Sequence, residues 1–124
     1  MTRPDDVTLE AASVLSSARI SHEGLIAIVD SIDEPVYVAD PSTYELLFVN
    51  QATARIFGTP DGRRCHQYFQ QRDSPCPFCT NDRIFGPFLG KSHVWEFCNE
   101  RNGHWYRCID KAIPWPDGRM VRYE

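Results

Sequence analysis

Apolar residues recur every three or four positions over residues 6–32, which is the spacing of one face of a helix. The first stripe consists of Leu9, Ala12, Leu15 and Ala18. The second stripe consists of Leu25, Ile28, Val29 and Ile32. Gly24 lies between the stripes and predicts a joint between two helices. The first stripe is narrow and rich in small residues, which favours an N-terminal helical extension (residues 1–24) that pairs with a second copy of the chain. The second stripe is expected to cover the core.

After Pro35 the pattern changes to short runs of β-branched and aromatic residues, which are typical of strands. Residues 36–39 and 44–49 predict a hairpin around the turn Asp40-Pro41-Ser42-Thr43. Residues 51–57, 65–71 and 80–88 predict short helical segments, and residues 93–98, 104–113 and 120–124 predict three more strands. The fifth strand is expected to be cut short at Glu124. This order predicts an α+β domain over residues 25–124, with a five-stranded antiparallel sheet and helices on one face.

Composition and charge narrow the function classes. The chain has 124 residues, enough for one domain with a core, and its net charge is −4. Binding to nucleic acid or to a membrane surface needs a concentrated basic face, which this acidic sequence lacks. It has no apolar run of transmembrane length, and residues 1–6 lack the apolar core of a signal peptide. We therefore expect a cytoplasmic protein with no membrane segment and no nucleic-acid partner.

The five cysteines carry the candidate chemistry. Cys76 and Cys79 form a C-x-x-C pair, and Cys65 precedes them by a short segment. Three thiolates with His66, Cys98 or Cys108 as a fourth ligand would suit zinc, and four cysteines would suit an iron–sulfur cluster. A disulfide formed on oxidation needs only two of the thiols, either Cys76 with Cys79 or Cys65 with Cys76.

The third interpretation is that these cysteines are small buried apolar residues that fix the helical middle to the core. We expect Cys98 and Cys108, isolated on strands, to be core residues. No Ser-His-Asp set, carboxylate pair or phosphate loop is visible in the sequence, so it gives no support for an enzyme.

Three segments resemble the PAS sensor domain: IVDSIDEPVYVAD at 28–40, VNQA at 49–52 leading to Phe57-Gly58, and IPWPDGR at 113–119. The resemblance extends over residues 25–124. It implies a sensor module of a bacterial signalling protein, such as a sensor histidine kinase or a diguanylate cyclase, acting as a homodimer. The effector would follow the sensor, and the N-terminal helices would transmit the signal.

The resemblance also bears on cofactors. Flavin-binding members carry a Gly-x-Asn-Cys-Arg-Phe-Leu-Gln segment, and Gly62-Arg63-Arg64-Cys65-His66-Gln67-Tyr68-Phe69-Gln70 occupies the comparable region. Arg64 stands in place of the asparagine and His66 in place of the arginine, so flavin is not expected. Haem-binding members use a histidine before the third strand, and residues 80–89 contain none. We expect no cofactor, with zinc or an iron–sulfur cluster as the alternatives.

A ligand cavity between the sheet and the helices is expected to be lined by apolar side chains, although such residues can equally form ordinary core. The candidates are Phe57, Tyr68, Phe69, Ile84, Phe88, Trp95, Phe97 and Tyr106. The sequence thus predicts a regulatory module that binds a small ligand or responds to redox or metal state. The alternative is a protein–protein dimerisation scaffold that binds no ligand.

Overall fold

The computed structural model describes residues 20–124. The helices are α1 (His22–Asp30), α2 (Gln51–Phe57), α3 (Cys65–Gln70) and α4 (Asn81–Ile84). The strands are β1 (Tyr37–Ala39), β2 (Leu46–Val49), β3 (His93–Cys98), β4 (Trp105–Pro114) and β5 (Met120–Tyr123). The predicted dimer stripe of Leu9, Ala12, Leu15 and Ala18 lies outside the described residues.

The five strands form one antiparallel sheet, as the sequence pattern predicts, and their order in the sheet is β2-β1-β5-β4-β3. The first and last strands are therefore neighbours, with Val38 opposite Tyr123. β4 pairs with β3 through residues 105–110 and with β5 only through residues 111–114. Within the described part of the chain, residues 105–110 consequently have no strand on the β5 side.

Asn50 connects three parts of the fold and is fully buried. Its side-chain oxygen accepts hydrogen bonds from the backbone N–H of Thr53 and of Val36, so it caps α2 and fixes the start of β1. Its amide donates to the carbonyl oxygens of Glu34 at 2.9 Å and Val29 at 3.3 Å. The predicted helix cap is confirmed, and this one side chain also ties α1 to the sheet.

The core lies between the inner face of the sheet and the helices α2 and α3. It is formed by Tyr37, Ala39, Phe57, Tyr68 and Phe69. The four aromatic rings of this core contact one another edge to face or at a tilt, with centroids 4.3–5.8 Å apart. Such aromatic pairs stabilise a core beyond the apolar area they bury. The helical middle of the chain is thus held on the sheet by aromatic contacts.

The prediction for the second helical stripe is wrong in two respects. α1 begins at His22, with Ser21 as its N-cap, so Gly24 lies inside the first turn and does not separate two helices. α1 has no buried residue, and Leu25 and Ile28 are 46% and 57% exposed. The helix lies on the outer face of the sheet near Val36 and Val38, where it covers the sheet only in part. No helix in residues 20–124 has the length and apolarity to cross a bilayer.

Candidate functional site

A cavity of about 720 Å³ lies between the inner face of the sheet and the segment that carries α3 and the C-x-x-C pair. This volume is in the range of small-molecule sites. The cavity extends to Pro35, Val36, Trp105 and Ile109. These residues border the place where β4 has no neighbour on the β5 side in the described chain, so the cavity reaches an edge of the sheet.

Aromatic side chains form a large part of the cavity wall. Its rings are those of Tyr37, Phe57, Phe69, Phe78, Trp95, Phe97, Trp105, Tyr106 and Tyr123. Phe78, from the C-x-x-C loop, contacts Phe97 and Trp95 with centroids 4.2 Å and 6.4 Å apart. The guanidinium of Arg72, which does not line the cavity, lies 5.4 Å from the Phe78 ring centre. The loop at 75–79, whose backbone is restricted by Pro75 and Pro77, therefore places Phe78 against the aromatic residues of β3.

Five of the predicted cavity residues line the cavity: Phe57, Phe69, Trp95, Phe97 and Tyr106. The other three lie elsewhere, which corrects the sequence-based expectation. Tyr68 and Ile84 are completely buried, Tyr68 within the aromatic core. Phe88 packs against His93 with ring centroids 5.0 Å apart. Periodicity identified these side chains as apolar but could not distinguish a cavity wall from a filled core.

Four of the five cysteines line the cavity: Cys65, Cys76, Cys79 and Cys108. All five are free thiols. Burial raises the pKa of Cys65 to about 12, that of Cys76 to about 11 and that of Cys108 to about 12. These three thiols are therefore neutral at pH 7, and a neutral thiol is a poor nucleophile and a poor metal ligand. Cys108 is half-buried and faces the cavity, so it is not the simple core residue that was expected.

Within residues 20–124, the structure shows no preformed ligand set for the predicted metal site. In this part of the chain, no three side chains of the His, Cys, Asp or Glu type are placed to hold one ion. His66 does not line the cavity. It is buried, its ring packs edge-on against Tyr44 at 5.5 Å, and burial lowers its pKa. Its Nδ1 has no hydrogen-bond partner among the described groups.

A charged cluster that sequence reasoning missed borders the cavity, and its members Arg122 and Glu124 line one wall. Arg122 and Asp110 are buried and form an ion pair at 3.2 Å. Arg122 also contacts Glu124 at 3.0 Å. Asp110 Oδ2 accepts hydrogen bonds from Thr80 Oγ1 at 2.6 Å and from Trp95 Nε1 at 2.7 Å. Neither β4 nor β5 carries a sequence motif around Asp110 or Arg122. Only the pairing of the two strands, which turns both side chains to the inner face of the sheet, shows that they meet.

The two carboxyl groups in this cluster differ in acidity. Burial and the neighbouring Asp110 raise the pKa of Glu124 to about 8, against the effect of Arg122. For Asp110 burial opposes ionisation, but contacts with Glu124, Arg122 and Thr80 outweigh it, and the pKa is lowered. At pH 7 the cluster therefore holds an ionised Asp110 and a mostly protonated Glu124.

Comparison with known proteins identifies the fold. A family model described as PAS domain matches residues 25–90, more than half of the chain. The matched segment includes β1, β2, α2, α3 and α4, and the sheet completes the same α+β architecture. No curated protein matches the chain.

Proposed function

The chain belongs to the PAS domain family, whose members are in general sensory and regulatory modules, and from this premise we propose that residues 25–124 bind a small ligand in the cavity. The observation that carries the proposal is the cavity of about 720 Å³ with aromatic walls and one charged wall. Apolar walls with a few convergent polar groups are typical of ligand sites. PAS domains are typically not catalytic, and we propose no reaction.

The proposal includes transmission to other parts of a cytoplasmic signalling protein. Asn50 joins α1 to the start of β1, and Pro35 and Val36 at that junction line the cavity. A ligand that moves this junction would change the position of α1. We propose that residues 1–24 then pass the change to a partner copy or to an effector that follows the sensor, such as a sensor histidine kinase or a diguanylate cyclase.

The ligand-binding function is tested with N-phenyl-1-naphthylamine, a neutral fluorescent probe, and with native mass spectrometry of the purified protein. Cys108→Phe is expected to fill the cavity and lower probe affinity at least about tenfold, because the added ring takes the ligand's volume. Cys98→Phe is the matched control, since Cys98 lies on the neighbouring strand and does not line the cavity. Equal probe binding by both variants and the parent protein would refute a ligand site in this cavity.

The redox alternative concerns Cys76 and Cys79, which form a turn in which the Cys79 N–H donates to the Cys76 carbonyl at 3.0 Å. A disulfide between them would need an oxidant. If the input is redox, Cys76→Ser removes the difference in tryptophan fluorescence between reducing and oxidising buffer. The same difference in the variant and the parent protein would eliminate this input.

The second candidate function is a dimerisation scaffold, favoured by exposed apolar residues on the outer side of the sheet. Trp105 is 72% exposed and Ile109 is 47% exposed, in addition to Leu25 and Ile28 on α1. Deleting residues 1–24 is expected to abolish the dimer in light scattering if the extension forms the interface. Trp105→Glu would abolish it if the sheet does. A monomeric parent protein would contradict both.

A further inference from the structure

Asp110 and Glu124 face each other across two neighbouring strands. Lys111 on β4 is paired with Tyr123 on β5, so the next residues in each direction, Asp110 and Glu124, are opposite one another. Arg122 and Asp110 point to the inner face, and so does Glu124, because side chains alternate along a strand. Like charges directly opposite on a sheet are destabilising. Ionising both carboxyl groups therefore costs free energy, and an additional positive charge would lower that cost.

The hydrogen bonds show where the proton lies. Asp110 Oδ2 accepts from Thr80, Trp95 and Arg122, which is the environment of an ionised carboxylate. Asp110 Oδ1 is buried, and no donor reaches it from the other described side chains. A proton on the facing Glu124 carboxyl supplies the missing donor. The pair thus holds one proton between two carboxyl groups, and the half that lines the cavity is Glu124.

Arg122 cannot serve as a free anion site in this arrangement, because its five N–H groups are already engaged. Its acceptors are Tyr37, Thr80, Asn81, Asp110 and Glu124. Counting charges in this wall, Arg122 and Asp110 cancel, and Glu124 adds one negative charge when it is ionised. The cluster is therefore complementary to a single positive charge brought in by a ligand.

The aromatic part of the cavity lining also fits a ligand with one positive charge. Phe78, Trp95 and Phe97 form a contiguous set of rings in contact with one another. Faces of aromatic rings attract cations, and clustered aromatic rings are a usual means of recognising a quaternary ammonium group. The alkyl or aromatic part of such a ligand would be accommodated by the remaining apolar lining.

The other ionisable groups around Glu124 stay neutral while it titrates. They are Tyr37 on β1, Cys65 on α3 and Cys108 on β4, with Asp110 and Arg122 charged as described. Burial holds the pKa of Tyr37 well above 10 and the pKa values of Cys65 and Cys108 at about 12. Arg107, at the open side of the cavity, is opposite Glu96 in the β3–β4 register. Glu124 is thus the group in this wall whose charge changes near pH 8.

We propose that the cavity binds an organic cation, an amine or quaternary ammonium attached to an apolar group, and that binding releases the proton shared by Glu124 and Asp110. This inference rests on the proposed ligand-binding function and specifies its ligand class. The proton leaves Glu124 for solvent, and the ligand cation replaces it as the positive partner of the carboxylate pair. Affinity for a cation must then rise with pH until Glu124 is ionised, whereas affinity for a neutral ligand must not.

The test uses benzyltrimethylammonium, whose charge does not depend on pH, and neopentylbenzene, its neutral isostere. Binding to the whole chain is measured by tryptophan fluorescence at pH 6 and pH 9. With the Glu124 pKa at about 8, the cation should bind about tenfold to a hundredfold more tightly at pH 9 than at pH 6. The neutral isostere should change by less than about twofold, since its binding is linked to no proton.

Glu124→Gln is the decisive variant, because its amide can donate to Asp110 but cannot ionise. It should lose the pH dependence for the cation and keep the affinity for neopentylbenzene. Retained neutral binding by this variant also shows that it is folded. Suppose that the parent protein binds neopentylbenzene but binds the cation more weakly than neopentylbenzene at pH 9, or binds it with no pH dependence. The cation proposal is then overturned, and the ligand-binding function stands. Failure of both probes to bind the folded parent protein overturns both.

Discussion

Replacing Asn50 with alanine is expected to lower the free energy of unfolding by about 3 kcal/mol. The side chain caps α2 through the Thr53 N–H, a contact worth about 1 kcal/mol. Its amide has two hydrogens, which are divided among the carbonyls of Val29, Ile32 and Glu34. Losing the bonds made by these two hydrogens costs about 1 kcal/mol for each hydrogen. The Val36 N–H adds little to the total, because Thr53 Oγ1 also accepts from it at 3.1 Å.

Such a loss is large relative to the total stability of a domain, which is about 5–15 kcal/mol. It corresponds to a decrease in melting temperature of roughly 10–15 °C. Asn50→Ser separates the two contributions, since serine retains the cap but has no amide, and we expect it to lose about 2 kcal/mol.

Urea denaturation followed by circular dichroism measures these differences. Gln51→Ala is the matched control, because Gln51 is exposed at the first position of the same helix and should change stability by less than about 0.5 kcal/mol. If Asn50→Ala costs less than about 1 kcal/mol, or no more than Gln51→Ala, Asn50 is not the connection between α1, β1 and α2 that the structure indicates.

Three further predictions concern acidity, packing and thiol reactivity. Because the Glu124 pKa is raised from 4.5 to about 8, stability should decrease as pH rises between these values, on the order of 5 kcal/mol in all, and Glu124→Gln should remove this slope in urea titrations at several pH values. A slope that is unchanged in the variant would assign it to other groups. Tyr68→Phe should cost about 1–2 kcal/mol, because the buried hydroxyl donates to the Gly58 carbonyl at 2.6 Å, and thermal melts that coincide with the parent protein would contradict this. Cys65 and Cys108, with pKa values of about 12, should react with an aromatic disulfide reagent at least about a hundredfold more slowly in the native than in the unfolded protein; mass mapping of the labelled sites decides, and fast native labelling would show that the raised pKa values are wrong.

The strands and short helices were predictable because local chemistry agrees with the final fold. Residues 93–98 alternate in character and form β3 with the predicted bounds, and Asn50 and Gly58 bound α2 as expected. The failure at α1 has a physical origin. Its apolar stripe indicates that one face avoids water, but sequence periodicity does not show how much of that face the domain itself covers.

The candidate site was predicted in part, and the limit is again physical. Aromatic residues at strand spacing pointed to Trp95, Phe97 and Tyr106, which do line the cavity. The charged wall could not be found from the sequence, because nothing local distinguishes Asp110 from Arg107 and Lys111 on the same strand, or marks Arg122 on β5 as its partner. Asp110 and Arg122 come together through the β4–β5 register. Thr80, at the start of α4, links them, because it donates to Asp110 and accepts from Arg122.

The order of the strands also determines when the domain can finish folding. β1 is held by β2 on one side and by β5 on the other, and the contact between Tyr37 and Arg122 closes a loop of 85 positions. The β1–β2 and β3–β4 hairpins are local and can form early, but the centre of the sheet must wait for the last strand. During synthesis β5 has to emerge from the ribosome before the β1–β2 and β3–β4 hairpins can join into one sheet. Until then the unpaired edges of β1 and β4 are available to other chains, which makes this stage the most exposed to aggregation.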